Sequence, residues 1–186
     1  MKKVLVFILI GLSVVLGVAG IRGAQAATSD SFTITITVGF IGISLKDYNL
    51  ADYSTWAIGT VTGSSLNTME AAGGVAGEEG ILLANLSNVA IDLAGFATNT
   101  NGWSLGSQGV DAYILSARGF GAWQAATYPN MVSAVSVTAT SSPGTEIDPN
   151  ISATTDRYIY FSVAAPTSVS VGGANTITVT LEATAH

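Results

Sequence analysis

The chain of 186 residues contains no cysteine and a single histidine, His186. Without cysteine it cannot form disulfides, thiolate zinc sites or iron–sulfur clusters. With one histidine it cannot assemble a histidine-rich metal site, and a catalytic triad built on an internal histidine is excluded as well. Cations are also scarce, since six Lys and Arg stand against twelve Asp and Glu. No basic patch is therefore expected to hold the phosphate backbone of a nucleic acid.

The N-terminal segment has the three parts of an export signal. Met1-Lys2-Lys3 is cationic, and the stretch 4–21 that follows is almost entirely apolar. Small residues then occupy Ala24 and Ala26, the two positions that a signal peptidase inspects. This pattern predicts cleavage before Ala27.

Cleavage at this site divides the chain into a signal peptide, residues 1–26, and a single mature domain, residues 27–186. The alternative is a retained anchor, because an apolar run of about 18 residues approaches the length of a bilayer span. Three glycines interrupt the run and no basic stop-transfer cluster follows it, which favours cleavage. The cleaved protein is expected to have no integral membrane span and to be secreted or held at the cell surface.

The mature domain is strongly acidic. Cleavage removes three cations and no acidic residue, so the formal net charge changes from −6 to −9. The cations that remain are Lys46, Arg118 and Arg157. This balance favours solubility outside the cell and argues against nucleic acid or anionic lipid as a partner. A chain of this length buries enough surface for one hydrophobic core.

Both ends of the mature domain have the period-two pattern of half-buried strands. In the N-terminal segment 31–38, the apolar residues on one face are Phe32, Ile34, Ile36 and Val38. In the C-terminal segment 175–183, they are Ile177, Val179 and Leu181. After Gly39 the apolar positions shift by one residue. The shift predicts a bulge or bend at 39–42 that lets one long strand serve two sheets.

Shorter segments of the same kind lie between the two ends, separated by Gly, Ser and Asn turns. The predicted strands are 56–61, 81–85, 89–93, 132–140 and 157–163, and 81–85 forms a hairpin with 89–93. Helical turns are expected only at 111–118 and 122–127. Many short strands at a spacing of about ten residues indicate an all-β protein. We predict an antiparallel Ig-like or jelly-roll-type β-sandwich of about eight to ten strands.

The stretch Gly80–Leu93, GILLANLSNVAIDL, resembles a strand–turn–strand element of bacterial secreted Ig-like domains. Similar hairpins occur in WxL-type cell-surface proteins and in TasA/camelysin-like matrix fibre proteins. Trp103-Ser-Leu105 has the letters of the W-x-L motif. The resemblance implies a β-sandwich at the cell surface or in a matrix. The camelysin family carries a protease label, but the H-E-x-x-H motif of zinc proteases needs two histidines.

Carboxylate pairs are the main acid–base groups in the sequence. They are Glu78 with Glu79, Glu146 with Asp148, and Asp47 with Asp52. A glycosidase needs two carboxylates that face each other across a cleft, and neighbours in Gly- and Pro-rich loops do not predict that geometry. We therefore expect no catalytic residue and no enzyme activity. The loops 47–52 and 146–150 also offer oxygen ligands for calcium, although Asx turns explain the same residues without a metal.

Aromatic and asparagine residues offer two further kinds of surface chemistry. Three tryptophans, Trp56, Trp103 and Trp123, and six tyrosines could stack on the rings of a surface glycan, or fill the core and subunit contacts. Asn85-Leu-Ser87 and Asn150-Ile-Ser152 match the N-glycosylation acceptor pattern, which ordinary turns also explain.

The first predicted strand indicates how copies of the chain associate. The segment 31–38 is uncharged, strictly alternating and close to a free mature end, so it could pair with the open sheet edge of a neighbouring copy. The alternative is that it pairs within its own domain. We predict a non-enzymatic structural subunit of the cell surface or extracellular matrix that self-associates, as a homo-oligomer or filament, by edge pairing or strand donation. The alternative function is an extracellular adhesion module that binds carbohydrate or calcium.

Overall fold

A computed structural model describes residues 39–71, 78–99, 102–125, 128–170 and 172–186. Two sets of predicted site residues lie outside these ranges, namely Ala24, Ala26 and Ala27 of the cleavage site and Phe32, Ile34, Ile36 and Val38 of the assembly strand. The described part contains ten strands and no helix. The strands are β1 (Ile43–Lys46), β2 (Leu66–Thr68), β3 (Ile81–Asn85), β4 (Ile91–Asn99), β5 (Ser104–Leu105), β6 (Ala112–Phe120), β7 (Val135–Val137), β8 (Thr145–Ile151), β9 (Arg157–Ala164) and β10 (Ile177–Ala185).

Seven strands form the larger sheet, in the order β1-β3-β9-β6-β5. β2 also pairs with β9, and β7 also pairs with β6. β9 lies at the centre, because it pairs with β6 along one edge and with β3 and β2 in succession along the other. All of these pairs are antiparallel except that of β5 with β6, which is parallel.

The smaller sheet consists of β10, β4 and β8 in that order, with both pairs antiparallel. β10 pairs with β4 along all nine of its residues. The pairing of β4 with β8 shifts register, since Ile91 faces Ile151 whereas Leu93 faces Asp148. Three steps along β8 thus correspond to two along β4, which is the signature of a β-bulge.

The core lies where the inward residues of the two sheets meet. Every second residue of β6 and β9 is buried there, as the period of a strand requires. The larger sheet contributes Tyr113, Leu115, Ala117, Ile159, Phe161 and Val163. The smaller sheet contributes Ile91, Leu93, Ala97, Ile147 and Ile151. Each large apolar side chain stabilises the fold by about 1.5–3 kcal/mol relative to an exposed position.

The outer face of the larger sheet is partly covered as well. Tyr160 of β9 is fully buried on this face, and its hydroxyl accepts a hydrogen bond from Gln124 N–H at 3.1 Å. The rings of Phe120 and Trp123 pack edge-on against Tyr160. Because both faces of β9 are buried, its sequence is almost continuously apolar and aromatic.

The all-β, two-sheet prediction is confirmed, and the ten strands of the described part match the predicted number. The predicted strands 81–85, 157–163 and 175–183 correspond to β3, β9 and β10. The finer Ig-like description stays a prediction.

Several local predictions are wrong. The stretch 56–61 is an irregular loop, and 111–118 belongs largely to strand β6 instead of a helical turn. The described residues of 122–127, which are 122–125, are not helical either. The strand period in β6 is visible in Tyr113, Leu115 and Ala117, which are buried and alternate with less buried residues.

The predicted hairpin is also wrong. β3 lies in the larger sheet and β4 begins the smaller one, so the intervening residues 86–90 carry the chain between sheets. The residues 146–150, which were predicted to form a loop, belong to strand β8, although they include Pro149 and three polar residues. An edge strand with a bulge tolerates such residues.

Candidate functional site

β10 has the longest open sheet edge in the described part of the chain. It has nine residues, and β4 pairs with one of its two edges. No strand among the described residues pairs with the other edge. Backbone N–H and C=O groups along that edge form a row to which an additional strand can bond.

Two other sheet edges within the described ranges, those of β1 and β8, are closed or interrupted. The turn 47–53 folds back along β1, and Tyr53 N–H donates to Leu45 O at 3.0 Å. At the opposite edge of the smaller sheet, Pro149 of β8 has no N–H group and lies within the register shift. β10 is therefore the edge that best admits a further strand.

An apolar groove of about 580 Å³ opens beside β10. Three parts of the fold line it. From β10 come Ile177, Val179 and Leu181. From β1 and the loop after it come Leu45, Tyr53, Trp56 and Ile58. From the core come Met69, Ile81, Leu115, Phe161 and Val163. Buried side chains of the core thus form part of the wall of the groove.

The inward residues of β10 are less buried than those of the strand beside it. Val179 and Leu181 are half-buried, whereas Leu93 and Ala97 of β4 are fully buried. Inward apolar side chains on a fully covered strand are normally buried. The difference indicates that no described residue covers this side of the sandwich.

The loop 53–59 borders the groove because it does not join either sheet. Gly59 has a left-handed backbone, with φ of +74°, which breaks the strand that was predicted for 56–61. Trp56 and Ile58 therefore do not belong to a paired strand, and their side chains line the groove. Sequence reasoning missed this role, because it depends on β10 arriving opposite the loop. Gly59 was the signal that could have indicated a break.

Asp47 and Asp52, which were candidates for calcium, build the turn after β1. Asp47 Oδ1 accepts a hydrogen bond from Ala51 N–H at 2.8 Å, as in an Asx-type turn. Asp52 Oδ1 lies 2.6 Å from Lys46 Nζ. The hydrogen bond and the positive charge of Lys46 lower the pKa of Asp52. Both carboxylates are thus engaged by neighbouring protein groups.

Glu146 and Asp148 belong to strand β8, so the segment 146–150 lacks the loop geometry that the calcium prediction assumed. Asp148 Oδ2 pairs with Arg157 Nε of β9 at 2.9 Å, which links the smaller sheet to the larger one. In the described ranges, no group of three or more acidic or histidine residues is placed to hold a metal ion.

Glu78 and Glu79 lie in different surroundings. Glu79 is 2% exposed, and its Oε2 has no hydrogen-bond partner within the described part of the chain. Burial raises the pKa of Tyr53, and the nearby charge of Glu79 raises it further. Glu78 instead lines a smaller cleft. The two carboxylates do not face each other across one cleft, as a glycosidase would require.

The smaller cleft has a volume of about 390 Å³ and a mixed character. Trp56 and Tyr128 line it together with Leu66, Asn67, Glu70 and Glu78. The other two tryptophans pack against tyrosines. The ring of Trp103 lies 6.3 Å from that of Tyr113, and the ring of Trp123 lies 4.7 Å from that of Tyr158. Trp56 and Tyr128 are thus the aromatic candidates that line this smaller cleft.

No helix in the described ranges is long and apolar enough to cross a membrane. No protein-family model, no curated protein and no solved structure matches the chain. An assignment of function therefore depends on the geometry of the groove and on the sequence itself.

Proposed function

We propose that the chain is an exported, non-enzymatic structural subunit that assembles into filaments by strand donation. Residues 31–38 of one copy add to the open edge of β10 in the next copy, and their apolar face fills the groove. The observation that carries this proposal is the coincidence of a nine-residue open edge with an apolar groove beside it.

The donor segment has the properties that the groove requires. Its eight residues are one fewer than the nine of β10, and they carry no charge. Alternation places Phe32, Ile34, Ile36 and Val38 on one face and polar residues on the other. A strand paired with β10 can thus direct its apolar face into the groove and its threonines towards water.

Burial and backbone pairing must act together in this contact. Four buried apolar side chains contribute roughly 6–12 kcal/mol, at about 1.5–3 kcal/mol each. Ordering a free segment costs about 1–2 kcal/mol per residue, which is of the same size over eight residues. Hydrogen bonds to the edge of β10 are therefore needed for stable association, and a groove without an open edge would not be sufficient.

Negative-stain microscopy of the mature protein, residues 27–186, tests the proposal. We expect ordered fibres, and we expect a variant lacking residues 27–38 to remain a monomer. A synthetic peptide of residues 31–38 should bind this truncated protein and raise its melting temperature, because its apolar face fills the groove. Fibres formed by folded, truncated protein would overturn the proposal. A monomeric mature protein in which residues 31–38 pair within their own domain would also overturn the proposal.

Two neighbouring substitutions on β10 provide a matched comparison. Val179→Lys places a charge in the groove, whereas Thr180→Lys places the same charge on the exposed face of the same strand. We expect Val179→Lys to prevent peptide binding and fibre formation, and Thr180→Lys to permit both. Circular dichroism of each variant establishes that the domain is folded. Equal effects of the two substitutions would contradict the assignment of the groove.

The smaller cleft favours a second function, the binding of a carbohydrate. Trp56 and Tyr128 offer aromatic faces for a sugar ring, and Asn67 and Glu78 offer polar groups for its hydroxyls. The microscopy experiment separates the two functions. A monodisperse protein whose melting temperature rises with a soluble glycan, and less so after Tyr128→Ala, would support the adhesion module instead of the filament.

A further inference from the structure

The two asparagines of the acceptor pattern have opposite environments. Asn85 is 3% exposed, and its Nδ2 donates to Ser152 O at 2.9 Å while its Oδ1 accepts from Ser87 N–H at 3.0 Å. Both polar ends of this side chain are therefore occupied within the fold. A sugar on Asn85 would require these hydrogen bonds to break and the crossing between β3 and β4 to open.

Asn150 is exposed and lies in the bulge of β8. Its backbone is left-handed, with φ of +53°, a conformation that asparagine tolerates better than most residues. Its backbone N–H donates to Asp92 Oδ1 at 2.8 Å, which holds the bulge against β4. No described residue makes a hydrogen bond to the Asn150 side chain. Ser152, the third residue of the motif, is also exposed and begins an exposed turn.

We infer that Asn150 is an N-glycosylation site and that Asn85 is not. The inference depends on the export of the chain, which is part of the proposed function. The donor is a lipid-linked oligosaccharide, in which C1 of the first sugar is bonded to the phosphate of a polyprenyl carrier. Asn150 Nδ2 attacks C1, and the C1–O bond breaks with its electron pair leaving on the lipid phosphate. One Nδ2 proton passes to a base of the membrane transferase.

The position of this site complements the assembly groove. The smaller sheet has two edges, formed by β10 and β8. Pro149 and the bulge already interrupt the β8 edge, and a glycan on Asn150 adds a bulky hydrated group beside them. Glycosylation therefore leaves the β10 edge free for a donated strand and shields the opposite edge from lateral pairing.

Mass spectrometry of the protein purified from the cells that produce it tests the site. We expect the mature mass plus one glycan, mapped to the peptide that contains Asn150, and an unmodified Asn85. Asn150→Gln and Ser152→Ala should each remove the glycan, whereas Ser152→Thr should retain it. The Ser152 substitutions keep the asparagine itself, so they separate loss of the motif from loss of the side chain.

The outcomes distinguish this inference from the proposed function. A mature protein that lacks residues 1–26 but has no glycan on Asn150 would overturn the site while leaving export intact. A glycan on Asn85 would also overturn it. A protein that keeps residues 1–26 in the cytosol and has no glycan would overturn both the site and the exported subunit.

Discussion

At the scale of single residues, the buried hydroxyls of two tyrosines differ in their hydrogen bonding. Tyr113 is fully buried beside Trp103, and its hydroxyl has no partner in the described part of the structure. Tyr160 is equally buried, but its hydroxyl accepts a hydrogen bond from Gln124 N–H. A buried polar group without a partner loses its hydration and gains no compensating bond.

We predict that Tyr113→Phe leaves the free energy of unfolding unchanged or raises it, because the substitution removes an unpaired polar atom and keeps the ring. Tyr160→Phe should lower the free energy of unfolding by about 0.5–1.5 kcal/mol, the usual net value of one hydrogen bond. Urea denaturation of both variants measures the difference. A loss of stability in Tyr113→Phe as large as that in Tyr160→Phe would contradict this account.

The contribution of Tyr113 to stability depends on pH, with a defined sign. Burial raises the pKa of Tyr113 to about 12. The tyrosine of the unfolded chain titrates near its ordinary value of about 10. Ionisation of the unfolded state above pH 10 therefore destabilises the fold, and the stability is lost as the pH rises towards 12. Tyr113→Phe should remove this part of the alkaline destabilisation and leave stability at neutral pH as described above.

At the scale of secondary-structure elements, the smaller sheet depends on a close approach between two backbones. A Cβ atom at Gly144 would lie 2.7 Å from backbone atoms of Gly95 in β4. The N–H of Gly144 also donates to the carboxylate of Glu182 in β10. Gly144 thus holds the start of β8 against both other strands of its sheet, and a side chain there has no space.

Gly144→Ala should therefore lower the free energy of unfolding by about 1–3 kcal/mol, since backbone must move to accept the methyl group. The matched control is Gly121→Ala, because no atom lies within 4 Å of a Cβ built at Gly121. The control should change stability by less than about 0.5 kcal/mol. Thermal and urea denaturation of the two variants, measured side by side, test the prediction. Equal stability of both would show that the two backbones are not in close contact.

At the scale of the whole molecule, the cations are occupied by internal contacts. Lys46 pairs with Asp52 and Arg157 pairs with Asp148. Arg118 Nη1 donates to Asn130 O at 2.6 Å, and its guanidinium lies 4.6 Å from the centre of the Phe120 ring. The three Lys and Arg residues of the described ranges are thus engaged by other groups of the same chain, which leaves a large excess of acidic charge. Association of such subunits brings like charges together.

We predict that fibre formation by the mature protein becomes faster and more complete as the salt concentration rises. Screening shortens the Debye length from about 30 Å at 0.01 M to about 8 Å at 0.15 M, which weakens repulsion between neighbouring subunits. The apolar groove and the backbone ladder are little affected by salt in this range. Light scattering and microscopy across a sodium chloride series measure the effect. Dissociation of fibres at higher salt would indicate that ion pairs between subunits hold them.

Some individual strands could be predicted from local sequence, whereas the topology could not. The strands β9 and β10 follow from the alternation and the β-branched content of their own residues. β6 was mistaken for a helical turn, because Ala, Leu and Arg near its centre also suit a helix. The assignment of β3 and β4 to different sheets depends on buried contacts of Asn85 and Ser87 with distant residues, and no local pattern reveals those contacts.

The two halves of the candidate site also differ in how far the sequence alone predicts them. The donor segment 31–38 could be proposed from its own alternation, since period and charge are properties of a short stretch. The acceptor could not, because it combines β10 with Tyr53, Trp56 and Phe161, which are far apart in the chain. Asn85 and Asn150 match the same N-glycosylation pattern in the sequence, and burial in the folded chain distinguishes them.

The sequence by itself determined that the protein is built from strands and that it lacks the residues for thiol, histidine or basic-patch chemistry. Those conclusions depend on composition and on the period of two, which each segment carries locally. The tertiary structure alone decided which strand edge is left unpaired by the other described strands, where the apolar groove lies and which asparagine is accessible. These features arise from contacts between segments that are distant in the chain, and burial in such contacts is set by packing and not by local pattern.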